Sequence, residues 1–147
     1  MILWTEKYAT GIEVLDQHHR VLIDSINRLG EQLHNSNPTL ADVALMIELV
    51  AYLGTYADIH FWSEEKCMES HRCPAHAENQ QAHAQFREFI QNYQRQCEHR
   101  GFNLELLREL HEKMQVWIQD HILKIDTQLR PCISGAIQAG ASVVPES

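Results

Sequence analysis

His60-Phe61-Trp62-Ser63-Glu64-Glu65 sets a histidine and a carboxylate four residues apart. On a helix that spacing puts both on one face, about 6 Å apart along the axis at ~1.5 Å rise per residue. The residues upstream turn that face inward: Leu49, Leu53, Tyr56, His60 and Glu64 follow the i+3/i+4 rhythm of a core stripe. A carboxylate on a core stripe is costly unless it is paired or bound to a metal. Something elsewhere in the chain has to offset that cost.

Three more stripes of the same period lie on either side. Before it, His19, Leu22, Ile26, Leu29 and Leu33 predict a helix from about Leu15 to Asn35, ended by Asn35-Ser36-Asn37-Pro38. Thr39 is placed to cap the central helix, with Asp42 as the acid of its first turn, and that helix should reach about Glu69. Past the turn at Ser70–Pro74, Asn79, His83, Phe86, Ile90, Tyr93 and Cys97 form a third stripe, closed by His99-Arg100-Gly101. Asn103 caps a fourth helix with the stripe Leu107, Leu110, Met114, Trp117 and His121. Four amphipathic helices with short connections predict an all-α, antiparallel up-down-up-down four-helix bundle over residues 1–130. Residues 1–14, with Trp4, Tyr8 and Gly11, read as an N-terminal arm laid over it. Residues 131–147, with Pro131, Gly135, Gly140 and Pro145, read as a tail that is frayed or forms a short extra helix.

Composition narrows the function classes. The 147 residues carry a net charge of −8, which argues against nucleic acid and anionic membrane surfaces as partners. The most apolar window, Leu40–Phe61, is broken by Asp42, Glu48 and Asp58 and reads as a buried helix rather than a membrane span. No basic segment followed by an apolar one opens the chain, so no signal peptide is expected. Cys67, Cys73, Cys97 and Cys132 include no CxxC pair, which fits a reducing, cytoplasmic setting.

Each helix carries a metal-capable side chain on its core stripe: His19, His60 with Glu64, His83, and His121. Asp126 follows His121 by five residues, about 140° past a full turn, so the two do not share a face of an ideal helix. A pair of metals, or a local widening of the helix, would reconcile them. Four imidazoles and two carboxylates suit iron, manganese or zinc, and the lack of thiolates beside them on the stripes disfavours structural zinc. Two carboxylates are also what a dinuclear centre needs, since each can bridge both ions.

These residues resemble the hemerythrin family. Asp16-Gln17-His18-His19 with Leu22, His60-Phe61-x-x-Glu64-Glu65, His83 with Phe86, and Trp117-x-x-x-His121-Ile122-x-x-x-Asp126 match its four motifs in order, across Trp4 to Asp126. The resemblance implies two non-haem iron ions with an oxo or hydroxo bridge, and O2 as a reversible ligand. It also implies roles: His19 and His60 on the iron with the open position, His83 and His121 on the other, Glu64 and Asp126 bridging. Phe61, Trp117, Ile118 and Leu123 would wall an apolar O2 pocket. One position departs: where the family pattern has a further histidine, this chain has Asn79. Three outcomes follow in order. Asn79 or water fills the gap; or that iron binds weakly; or the vacancy becomes a second reactive position.

Any one of these histidines alone is more economically an ordinary core histidine; all four together with two carboxylates are not. His18, His34, His99 and His111 read as surface residues, and Glu65 as solvated and facing away. Cys67, His71, Cys73 and His76 cluster around the turn with an irregular spacing for zinc, and Cys67 with Cys73 is a conceivable redox pair. The expected function is O2 storage, delivery or sensing by a monomer or weak oligomer. The alternatives are a di-iron redox enzyme such as a ferroxidase or peroxidase, and a metal-buffering bundle. Ferritin-like sites use two Glu-x-x-His pairs; here Glu31 and His34 make the one such pair, away from the metal set.

Overall fold

Thr39 starts the longest helix as its sequence promises. Its Oγ1 accepts from the Asp42 backbone N–H at 3.2 Å, and Asp42 Oδ2 accepts from the Thr39 N–H at 2.8 Å, a reciprocal capping box. Asn103 caps the last long helix through the Leu106 N–H at 3.1 Å. Gly101 closes the third at φ +76°, a left-handed conformation that glycine adopts without strain. The computed structural model describes residues 1–138, and these are helical with no strand among them. They comprise α1 (Glu13–Leu33), α2 (Leu40–Ser70), α3 (His76–Arg100), α4 (Leu104–Lys124) and a short α5 (Leu129–Gln138).

The four long helices touch around a ring, α1 to α2, α2 to α3, α3 to α4 and α4 back to α1. Consecutive helices that pack together across links of three to six residues, 34–39, 71–75 and 101–103, have room only to reverse direction. The stripes face inward: Leu22, Ile26 and Leu29 of α1, Leu53 and Ala57 of α2, Phe86 and Ile90 of α3, and Leu107 and Met114 of α4 form one large apolar cluster. A second cluster, built on Leu15, Cys67, Met68, Ile125, Leu129 and Ile133, closes the other end of the bundle.

The arm is tied down at both ends. Asn27 pairs with the backbone of Ile2 in both directions, at 2.9 and 2.8 Å. Buried Asp16 accepts from the Thr10 backbone N–H at 2.7 Å and from the Thr10 hydroxyl at 2.9 Å. Arg130 bonds the carbonyls of Glu6 and Lys7 from the far end of the chain. Asp16 therefore does structural work, fixing the turn from the arm into α1.

Two expectations need correction. α2 is not buried all round: Ile47, Tyr52, Ile59 and Trp62 are about half exposed on its outer face. By length and composition alone this helix could cross a membrane, yet its inner face is the middle of the bundle core. His111 is not a surface residue; its Nε2 sits 3.0 Å from the Ile26 carbonyl, in space that a side chain on Gly30 would invade. The stretch after Arg130 continues the short extra helix α5, whose Ile133 is buried in the second cluster, with Pro131 in the first helical turn where its missing N–H costs nothing. Gly140 and Pro145 of the expected tail lie outside the described residues.

Candidate metal centre

The metal-capable side chains meet between the two apolar clusters. Glu64, at the middle of the set, is fully buried. Its Oε2 lies 3.1 Å from His19 Nε2 and 3.2 Å from His60 Nε2; its Oε1 lies 3.1 Å from His83 Nε2 and 3.8 Å from His121 Nε2. Asp126 spans the same gap from the opposite side, Oδ2 at 3.0 Å from His19 Nε2 and Oδ1 at 2.9 Å from His121 Nε2. All six residues are predicted candidates, and all six are buried.

Two groups of four emerge, His19, His60, Glu64 and Asp126, and Glu64, His83, His121 and Asp126, each with its ligand atoms within 4.8 Å of one another. They share both carboxylates. The five-residue step from His121 to Asp126 is solved by ending the helix: α4 stops at Lys124, and a single 3-10 turn from Asp126 to Gln128 swings the carboxylate back under His121. No widening of α4 is needed.

This donor set fits a pair of metal ions better than a hydrogen-bonded core. Donor atoms 2.9–3.2 Å apart match the edges of a coordination polyhedron with bonds of about 2.1 Å. The His83 and His121 Nε2 atoms approach to 3.1 Å, and both oxygens of Asp126 are buried without a hydrogen bond in good geometry. Buried carboxylates left in that condition are costly unless a cation takes them up. In the metal-free chain, protons take its place. Burial pushes the His19 and His121 imidazoles down, but Asp126 and Glu64 outweigh it and raise them to about 9 and about 10. His60, for which burial wins, falls to about 4. Burial also opposes charge on Glu64, yet the surrounding imidazoles hold its carboxyl well below the usual range.

Around the donors, Phe61 stacks on His83 with ring centres 3.8 Å apart, and Trp117 stacks on His121 at 4.3 Å. Ile118 is buried in the adjoining core. Leu123 is not brought to the site; it is 37% exposed on the outside of α4. Two residues read as remote are in contact with the donors. Glu65 Oε2 lies 3.2 Å from His83 Nδ1, so it backs one of the candidate donors rather than facing solvent. His18 Nδ1 lies 3.1 Å from His60 Nδ1, with its ring edge against Tyr56. The sequence signal for Glu65 was its place about 100° round α2 from Glu64, on the side where α3 packs. Asn79, fully buried, donates its Nδ2 to Glu64 Oε1 at 2.8 Å.

The thiol-rich turn does not assemble a comparable site. Cys67 Sγ is 3.7 Å from His71 Nδ1, but that nitrogen sits closer to the Cys67 carbonyl, at 2.8 Å. Cys73 points to the Gln128 carbonyl, and all four cysteines are free thiols. Among the described residues, no four-donor group forms from Cys67, His71, Cys73 and His76.

Comparison with known proteins agrees with this geometry. The model of the hemerythrin HHE cation binding domain matches residues 10–133. A bacteriohemerythrin of Stenotrophomonas maltophilia (strain R551-3) is 25% identical over 122 residues, covering 83% of this chain and 74% of that protein. A bacteriohemerythrin of Clostridium acetobutylicum is 22% identical over 129 residues, covering 87% of this chain and 98% of that one. Identity is low, but the match runs from the end of the arm to the start of α5 and takes in every donor. The chain belongs to the hemerythrin family.

Proposed function

We propose that this protein binds O2 reversibly at a non-haem di-iron centre, for storage, delivery or sensing. The observation that supports it is the pair of buried four-donor groups sharing Glu64 and Asp126. His19 and His60 would hold one iron and His83 and His121 the other, with the two carboxylates and an oxo or hydroxo group between them. Two ferrous ions so held would supply the electrons that reversible O2 binding borrows and returns.

The chain's own contribution is dryness and position. Phe61 and Trp117, stacked on His83 and His121, fix those rings and keep water from their faces. Ile118 and Ile122 continue the apolar wall. Such a wall withholds the protons that would convert a reversible complex into an oxidation. His83 is held in one orientation by Glu65 behind it. The free thiols suit a cytoplasmic setting, which belongs to the same proposal.

A second reading, a di-iron redox enzyme such as a ferroxidase or peroxidase, is favoured by one observation: Asn79 stands beside the centre with its amide nitrogen, not its oxygen, toward Glu64. Repeated exposure of anaerobically reduced protein to O2 and then argon separates the two. A visible band that appears with O2 and vanishes on its removal over several cycles is expected. A band that forms once and stays, or steady consumption of ferrous iron or peroxide, would replace the carrier with the enzyme.

A further inference from the structure

Asn79 is a fully buried polar side chain whose amide reaches Glu64, the carboxylate that both donor groups share. Its Nδ2 donates to Glu64 Oε1 at 2.8 Å and faces Met68 Sδ at 3.3 Å. A carboxylate oxygen and a thioether sulfur only accept, so the NH2 end of the amide is the end that must face them. Its Oδ1 is left buried without a partner. An amide turned this way holds Glu64 in place and offers nothing to a metal.

We propose that Asn79 is a positioning residue for Glu64 and that the second metal position, like the first, has two imidazoles and two shared carboxylates as its whole protein complement. This rests on the di-iron reading. Four protein donors and one bridging group leave a six-coordinate ion an open place, so each metal of this centre accepts a small anionic ligand. An open groove of about 580 Å³ between α3 and α4 is lined in part by Ala82, Trp117 and His121, so solvent reaches the outer edge of one histidine of that position. At 4% exposed, His121 is the least covered of the four ligand histidines.

The test is azide titration of the oxidised, iron-loaded protein, followed by charge-transfer absorption and calorimetry, beside Asn79→His and Asn79→Leu. Iron per chain is counted first; fewer than two overturns the di-iron reading and this proposal together. With two irons, the expected result is two azides per chain in the wild type and in Asn79→Leu, and one in Asn79→His. One azide in the wild type overturns the proposal while leaving the di-iron reading intact. If Asn79→Leu then gains a second, the Asn79 carbonyl was a ligand after all.

Discussion

Glu64 and Asp126 each face imidazoles on two sides, and the residues behind those imidazoles are not equivalent. His83 has the Glu65 carboxylate at its Nδ1, His60 has His18, and the Nδ1 atoms of His19 and His121 have no partner. A carboxylate behind a ligating histidine raises its basicity and fixes its tautomer, and its loss typically costs about 10–100-fold in metal affinity. Glu65→Gln is therefore expected to weaken one of the two metal positions by about that factor and leave the other unchanged. Competition with a chelator should show one iron-release phase quickened by about that factor and the other unchanged; two unchanged phases would remove Glu65 from the centre. At this scale the sequence was legible for ligands and opaque for their supports. His19, His60, His83 and His121 announce themselves because each sits on a stripe of apolar residues, where an imidazole is conspicuous. Glu65 and His18 sit off those stripes, and their contacts depend on how far neighbouring helices rotate, which periodicity does not encode.

Among the elements, the caps and breakers were readable and the end of α4 was not. Thr39, Asn103 and Gly101 act locally, through backbone groups within three or four residues, so their roles survive without tertiary information. Asp126 does not: its placement needs α4 to stop at Lys124 and turn, a stop that no glycine or proline marks. The arm is a similar case. Asp16 lies in the first turn of α1, where an acid is ordinary, yet its work is to accept two hydrogen bonds from Thr10. Asp16→Ala leaves a buried backbone N–H unpaired and is expected to cost about 2–3 kcal/mol. Thermal denaturation measures that cost, and limited proteolysis should show cleavage within residues 1–12 before the bundle is cut. An unchanged melting temperature and an intact arm would contradict the role given to Asp16.

For the whole molecule, the centre couples metal, protons and folding. In the metal-free chain His19 and His121 have folded pKa values raised to about 9 and about 10. Their contribution to stability is fully present below the ordinary histidine pKa and is lost as pH rises through those values. His60, lowered to about 4, and Glu64, also lowered, act in the opposite sense: their contributions are lost as pH falls. The metal-free protein should thus be most stable near pH 6.5 and weaken toward pH 10. Metal binding displaces the protons from His19 and His121, so the loaded protein should lack that alkaline loss. Melting curves at pH 6.5 and 9.5, with and without metal, are expected to show the stabilisation by metal widening at the higher pH. A constant difference would mean that these two histidines are not protonated in the metal-free chain.

The bundle itself was plain from the stripes, because four faces of one period and three short links leave few other ways to bury them. Less plain was the outer face of α2, where Ile47, Tyr52, Ile59 and Trp62 are exposed; hydrophobicity all round a helix says only that it is apolar, not which sides have neighbours. What the fold rests its function on is a single geometric claim, that Glu64 and Asp126 belong to two metal positions at once. The direct measurement is the iron content of the purified oxidised protein together with its Mössbauer spectrum in a strong applied field. Two irons per chain with a diamagnetic, spin-coupled ground state are expected, because ferric ions joined through shared bridges couple. One iron per chain, or two that respond to the field as independent paramagnets, would contradict the claim.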